Sequence, residues 1–61
     1  MVICQTDKFV LWQLGPNQIQ EKRWDIYKID EKGFWHWIDE NNPKHYYSLE
    51  EAKIGFLLES I

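Results

Sequence analysis

The segment Trp24–Asp39 constrains the fold of this 61-residue chain more than any other. Two runs rich in aromatic and β-branched residues flank a short polar break, Asp30-Glu31-Lys32-Gly33. Such a break suits a type I turn followed by a glycine in the left-handed region, the three-residue hairpin with a G1 bulge. Glycine is favoured there because a Cβ would be strained at positive φ. The segment therefore predicts a β-hairpin.

The predicted turn also sets the pairing of the two strands. With Asp30 facing Phe34, the pairs that follow are Ile29–Trp35, Lys28–His36, Tyr27–Trp37 and Ile26–Ile38. Side chains alternate between the two faces of a strand. The hairpin then has two apolar faces, one with Tyr27, Ile29, Trp35 and Trp37, the other with Trp24, Ile26, Phe34 and Ile38. A sheet covered on one side normally has a polar second face, and the sequence leaves open which face is the core.

A further strand is predicted at Phe9–Leu14, where apolar side chains fall on both faces. Phe9 and Leu11 share one face, and Val10 and Trp12 share the other. Two neighbouring segments stay undecided. Val2–Thr6 is either a separate short strand or the start of one long strand, and Ile19–Arg23 is either a strand extension or loop.

The C-terminal segment predicts a helix. Ser48 and Glu51 have the spacing of a capping box, and Glu50 adds negative charge where the helix dipole favours it. The helix is expected over Leu49–Glu59. At ~100° per residue its apolar side chains spread over more than half of the circumference, so part of the helix has apolar surface left over.

These elements predict an α+β fold in a single small domain over residues 1–61. The expected architecture is a three-stranded antiparallel β-meander with one C-terminal α-helix packed on the sheet (β-β-β-α). The predicted strands are Phe9–Leu14, Arg23–Asp30 and Phe34–Asp39, and the predicted helix is Leu49–Glu59.

Composition narrows the environment of the chain. A net charge of −3 disfavours a surface that follows a phosphate backbone. Cys4 is the only cysteine, so no internal disulfide forms, which is typical of a reducing compartment. No apolar run approaches the ~20 residues of a membrane span, and no signal-peptide pattern is visible. We therefore expect a cytoplasmic protein without membrane contact.

The residue types that carry chemistry are sparse. His36, His45 and Cys4 lack the spacing of a metal site. The acidic loop Asp39–Asn42 lacks the ligand spacing of a calcium loop. Ser48 is explained by capping, and no glycine-rich phosphate cradle is present. The sequence predicts a protein that is not an enzyme and uses no metal or cofactor.

The aromatic side chains are the candidate binding residues. They are Trp12, Trp24, Tyr27, Trp35 and Trp37. Their first interpretation is a protein-binding face in a small regulator, an inhibitor or an accessory subunit of a larger complex. The alternative is a platform on which nucleic-acid bases stack. The acidic residues that surround the hairpin favour the protein partner.

Three short motifs resemble a known family of sheet domains. They are Trp24-x-Ile26-Tyr27, the turn at Gly33, and Tyr46-x-Ser48-Leu49-Glu50-Glu51-Ala52-Lys53 at the helix start. With three strands before a helix, the pattern loosely resembles the AP2-type domains that precede phage and transposon integrases. The resemblance covers about residues 24 to 53 and implies DNA binding through the sheet. The chain lacks the basic residues that such sheets direct at phosphates, and fold analogy alone does not carry function.

The surplus apolar surface predicts self-association or a tight partner. A two-fold dimer through the open sheet face is the simplest closed arrangement, and Trp37 is expected to contribute strongly because interfaces favour Trp and Tyr. Two segments could instead cover the open face within one chain. These are the Met1–Lys8 arm and the Gln18–Arg23 segment.

Overall fold

A computed structural model describes residues 1–17 and 21–61 of the chain. Within these residues the elements are β1 (Val2–Gln5), β2 (Phe9–Leu14), β3 (Arg23–Ile29), β4 (Trp35–Trp37), β5 (His45–Tyr46) and α1 (Leu49–Ser60). The predicted alternatives for Ile19–Arg23 lie partly outside the described residues, and Arg23 itself begins β3. The α+β class, with an antiparallel sheet and a C-terminal helix, is confirmed.

The sheet is antiparallel with the order β1-β2-β3-β4. β5 also pairs with β3, on the same edge as β4. β4 lies along Tyr27–Ile29, and β5 lies along Trp24–Asp25. β3 therefore has paired strands on both of its edges, and β1 extends the sheet beyond β2.

The predicted number of three strands is wrong, because the described residues form five. β1 is a separate strand since the chain reverses at Thr6. The Thr6 hydroxyl oxygen accepts the backbone N–H groups of Lys8 and Phe9 at 3.2 and 3.0 Å. β5 has only two residues, too few for a pattern of alternating side chains to reveal it.

The central hairpin has the predicted turn and register. Gly33 has a φ of 88°, and the Asp30 N–H donates to the Phe34 carbonyl oxygen at 2.9 Å. The pairs from Ile29–Trp35 to Tyr27–Trp37 form as predicted. β4 is shorter than the predicted Phe34–Asp39 strand. A turn begins at Asp39, whose carboxylate accepts the Asn41 N–H at 3.0 Å, so the ladder ends before Ile38.

The helix begins at Leu49 as predicted and continues to Ser60, one residue beyond the predicted end. Ser48 occupies the N-cap position with an extended backbone, but its side chain makes no capping hydrogen bond. The prediction that the Ser48 hydroxyl oxygen accepts a capping hydrogen bond is therefore wrong. The first helical bond runs from the Ala52 N–H to the Ser48 carbonyl oxygen at 3.0 Å.

The core lies between the sheet and one side of α1. It consists of Leu11, Trp24, Ile26, Ala52 and Phe56. Since Trp24 and Ile26 pack under the helix, the face with Tyr27, Trp35 and Trp37 points the other way. Tyr46 also approaches the helix closely, because a Cβ placed on Gly55 would lie 2.5 Å from the Tyr46 hydroxyl oxygen. The helix thus covers the sheet and the short strand β5.

Candidate interaction surfaces

The sheet face opposite the helix is largely aromatic. By alternation along the paired strands, this face carries Val10, Trp12, Asp25, Tyr27, Trp35, Trp37 and His45. Val10 and Asp25 are fully buried even though the helix packs on the other side. This face therefore has a covered layer of its own.

Four rings on this face contact one another, and we call them the aromatic cluster (Trp12, Tyr27, Trp35 and Trp37). The Tyr27 ring centre lies 5.8 Å from that of Trp35 and 4.7 Å from that of Trp37. Trp12 meets Trp35 edge to face at 5.5 Å. Trp35 remains 40% exposed, whereas the other three rings are half-buried. Trp35 is thus the most accessible ring of the cluster.

A buried carboxylate lies beside the cluster. Asp25 is fully buried, and its Oδ1 contacts His45 Nδ1 at 2.8 Å. Its Oδ2 accepts hydrogen bonds from Arg23 Nη2 at 3.0 Å and from the Tyr27 hydroxyl at 3.2 Å. We call these four residues the Asp25 network. A buried charge is tolerated only when such partners replace water.

The network is joined to the cluster through two of its members. Tyr27 belongs to both groups, and the Trp37 ring meets the His45 ring at 5.4 Å and 86°. The contacts with Asp25 therefore position Tyr27 and His45, and both of these rings contact Trp37. The Arg23 Nε is buried without a hydrogen-bond partner among the described residues.

Sequence interpretation missed the Asp25 network. His45 lies outside every predicted strand and helix, yet it belongs to β5 and pairs with Asp25. One signal was available: Asp25 interrupts an apolar strand, and Arg23 and Tyr27 stand two residues away on the same face. A carboxylate so placed indicates a local polar cluster. No comparable local signal indicates that β5 supplies His45 as a partner of Asp25.

Burial raises the pKa of the Tyr27 phenol above its usual 10.0, and the neighbouring Asp25 carboxylate raises this pKa further. The phenol therefore ionises at lower pH in the unfolded chain than in the folded one. We expect Tyr27 to add stability below about pH 10 that is lost as pH rises through the folded-state pKa. Urea unfolding between about pH 9 and about pH 11 measures this loss. This pH-dependent loss of stability should be smaller in Tyr27→Phe. It should be unchanged in Tyr47→Phe, because the Tyr47 side chain is exposed.

The structure does not place the five predicted binding residues together. Trp12, Tyr27, Trp35 and Trp37 form the aromatic cluster. Trp24 points to the opposite side, is 7% exposed, and packs in the core under the helix. Its indole N–H donates to Gln13 Oε1 at 3.2 Å.

The helix presents a second apolar surface to solvent. Its residues, which we call the helix stripe, are Ile54, Leu57 and Leu58 of α1 and the C-cap residue Ile61, with exposed fractions of 58%, 64%, 66% and 98%. At ~100° per residue they lie on the side of α1 opposite Ala52 and Phe56. The helix is therefore apolar on two opposite faces, of which only one is covered by the sheet.

A cavity of about 270 Å³ opens where the β4–β5 connection meets the end of α1. Its lining is Ile26, Trp37, Ile38, Asp39, Asn42, Pro43, Lys44, Tyr46 and Glu59.

Within the described part of the chain, no three His, Cys, Asp or Glu side chains converge as a metal site. His36 instead contacts the Asp30 carboxylate at 2.7 Å, and Cys4 is a free, half-buried thiol.

No protein-family model matches this chain, and neither a curated protein nor a solved structure gives a significant match. Among the described residues, no helix has the length and apolar character needed to cross a membrane. The case for a function rests on the chain's own surfaces.

Proposed function

We propose that this protein is a small non-catalytic interaction module that binds a protein partner through the aromatic cluster. The observation that carries the proposal is the set of four contacting rings on the sheet face opposite the helix, with Trp35 40% exposed. Large aromatic side chains dominate the energetics of protein interfaces. The partner is a second protein or another copy of this chain. A cytoplasmic location is consistent with the single free thiol of Cys4.

The arrangement of the rings supports binding without reorganisation. Tyr27 contacts the rings on either side of it, and the buried Asp25 carboxylate accepts a hydrogen bond from its hydroxyl. Side chains that are already ordered lose little conformational entropy on binding. A partner therefore meets a prearranged surface.

Charge favours a protein over a nucleic acid at this surface. The chain has a net charge of −3, and binding to a phosphate backbone depends on Lys and Arg side chains that release counterions. Regulators, inhibitors and accessory subunits all fit a small acidic module with one aromatic face. Base stacking on Trp35 is the competing use of the same rings.

The test compares two neighbouring residues of the hairpin. Trp35→Ala removes the most accessible ring, whereas Phe34→Ala removes a side chain that is 63% exposed and points to the other face of the hairpin. A protein partner captured by the wild type should be retained by Phe34→Ala, and Trp35→Ala should weaken its binding at least about tenfold. Binding constants for the recombinant partner provide the measurement, and circular dichroism checks that both variants fold.

Two results would contradict the proposal. One is a partner whose affinity is the same for the wild type and Trp35→Ala. The other is tight binding to single-stranded oligonucleotides at low salt that requires Trp35 and weakens steeply as salt is added. The second result would assign the same rings to base stacking.

A further inference from the structure

The helix stripe has the spacing of a helix–helix contact. Its four residues stand at i, i+3, i+4 and i+7, the pattern of one apolar seam along a helix. At 1.5 Å per residue this seam is about 10 Å long. Exposed fractions between 58% and 98% show that nothing in the described part of the chain covers it.

We propose that a second copy of this chain packs on the helix stripe and forms a two-fold dimer of antiparallel α1 helices. A two-fold interface places the same surface of both copies face to face. With the axis between Leu57 and Leu58, each Leu57 faces Leu58 of the other copy. Ile54 then faces Ile61 of the other copy, so each residue of the seam meets an apolar side chain.

The charges of α1 favour the antiparallel orientation. Glu50 and Glu51 lie in the first turn, and Glu59 is the charged residue of the last turn. Parallel helices would bring four carboxylates together at one end, where like charges repel. Antiparallel helices separate these carboxylates and align the helix dipoles favourably. The same acidic composition disfavours an anionic lipid surface, which attracts helices with a basic rim.

The size of the stripe predicts the strength of the dimer. Four half-exposed to fully exposed aliphatic side chains offer on the order of 500 Å² per copy, a large patch for a monomer. A standard interface buries about 800 Å² per partner. The dimer should therefore form with a dissociation constant of about 1 to 100 μM.

This dimer goes beyond the proposed function, because it uses the other side of the sheet. The helix packs on the face that carries Trp24 and Ile26, whereas the aromatic cluster lies on the opposite face. Joining two copies through α1 leaves both clusters accessible. The assembly would then present two identical binding faces and gain avidity for a partner with repeated sites.

Sedimentation equilibrium of the full chain at micromolar to millimolar concentration tests the proposal. We expect the wild type to dimerise and Leu57→Lys to raise the dissociation constant about a hundredfold, since the change occurs twice in a two-fold interface. Phe34→Lys is the matched control, because Phe34 is as exposed as Leu57 but lies in the hairpin. This control should dimerise like the wild type.

The orientation is tested by disulfide formation in a Cys4→Ser background. Mixing Ile54→Cys with Ile61→Cys should give mainly the mixed disulfide if the helices are antiparallel. A preference for Ile54→Cys pairing with itself would overturn the proposed arrangement.

Three outcomes of sedimentation would overturn the proposal. The first is a wild-type monomer at all concentrations. The second is a dimer that Leu57→Lys leaves unchanged. The third is a dimer dissociated by Trp35→Ala instead, which would place the second copy on the aromatic cluster. None of these outcomes decides whether a different protein binds Trp35, so failure here is distinguishable from failure of the proposed function.

Discussion

Replacing Asp25 with alanine should cost about 3 kcal/mol of unfolding free energy. The carboxylate is fully buried and holds Arg23, Tyr27 and His45, and removing one partner of a buried ion pair is typically this damaging. This loss lies at the lower end of the range for buried ion pairs, because the Arg23 and His45 side chains are 31% and 30% exposed and solvent screens their charge. A domain of this size has a total stability of about 3 to 9 kcal/mol. Urea unfolding should therefore show a weakly folded Asp25→Ala variant.

Two further variants make this result specific. Asp25→Asn keeps the size of the side chain but turns one acceptor into a donor, so it should fall between the wild type and Asp25→Ala. Glu40→Ala removes a carboxylate that is exposed and should change stability by less than about 0.5 kcal/mol. A wild-type unfolding midpoint for Asp25→Ala would show that the Asp25 network does not support the sheet.

Phe56→Ala should destabilise the fold by about 3 to 4 kcal/mol. Phe56 is 7% exposed and packs with Ala52 against Leu11, Trp24 and Ile26. Truncation leaves a cavity at the contact between helix and sheet, so α1 should detach while the hairpin loses its cover. Chemical unfolding followed by circular dichroism and by Trp fluorescence measures the loss, because Trp24 lies in the same core.

The next residue in the chain is the control for this prediction. Leu57→Ala removes an aliphatic side chain of the same helix that is 64% exposed. At about 0.1 μM, well below the dissociation constant of about 1 to 100 μM proposed for the dimer, it should cost less than about 0.5 kcal/mol. Equal losses in Phe56→Ala and Leu57→Ala would mean that the helix does not bury the face seen in the structure.

The elements set by nearby residues were predictable from the sequence. The turn at Gly33 needs only a positive φ, which glycine supplies, and the register then follows from alternation. The bounds of Phe9–Leu14 and the start of the helix at Leu49 also agree with their patterns. The convergence of the Tyr27, Trp35 and Trp37 rings followed from the same register.

Contacts between distant residues were not predictable in this way. His45 reaches Asp25 across 20 positions of the chain, and β5 has only two residues to indicate its presence. Alternation places Trp24 on the same face as Ile26, but only the packing of the helix makes that face the core. The two apolar faces of the hairpin are nearly equivalent in sequence, so alternation alone cannot select the core.

The sequence by itself determined the local conformations, because turn geometry, strand alternation and helix formation depend on residues a few positions apart. Tertiary structure alone decided which face α1 covers, which tryptophan becomes core and which carboxylate is buried. These choices depend on burying apolar area and pairing polar groups between elements that the chain sequence separates. That is why Trp24 and Trp35, both in the same hairpin, end in the core and at the surface.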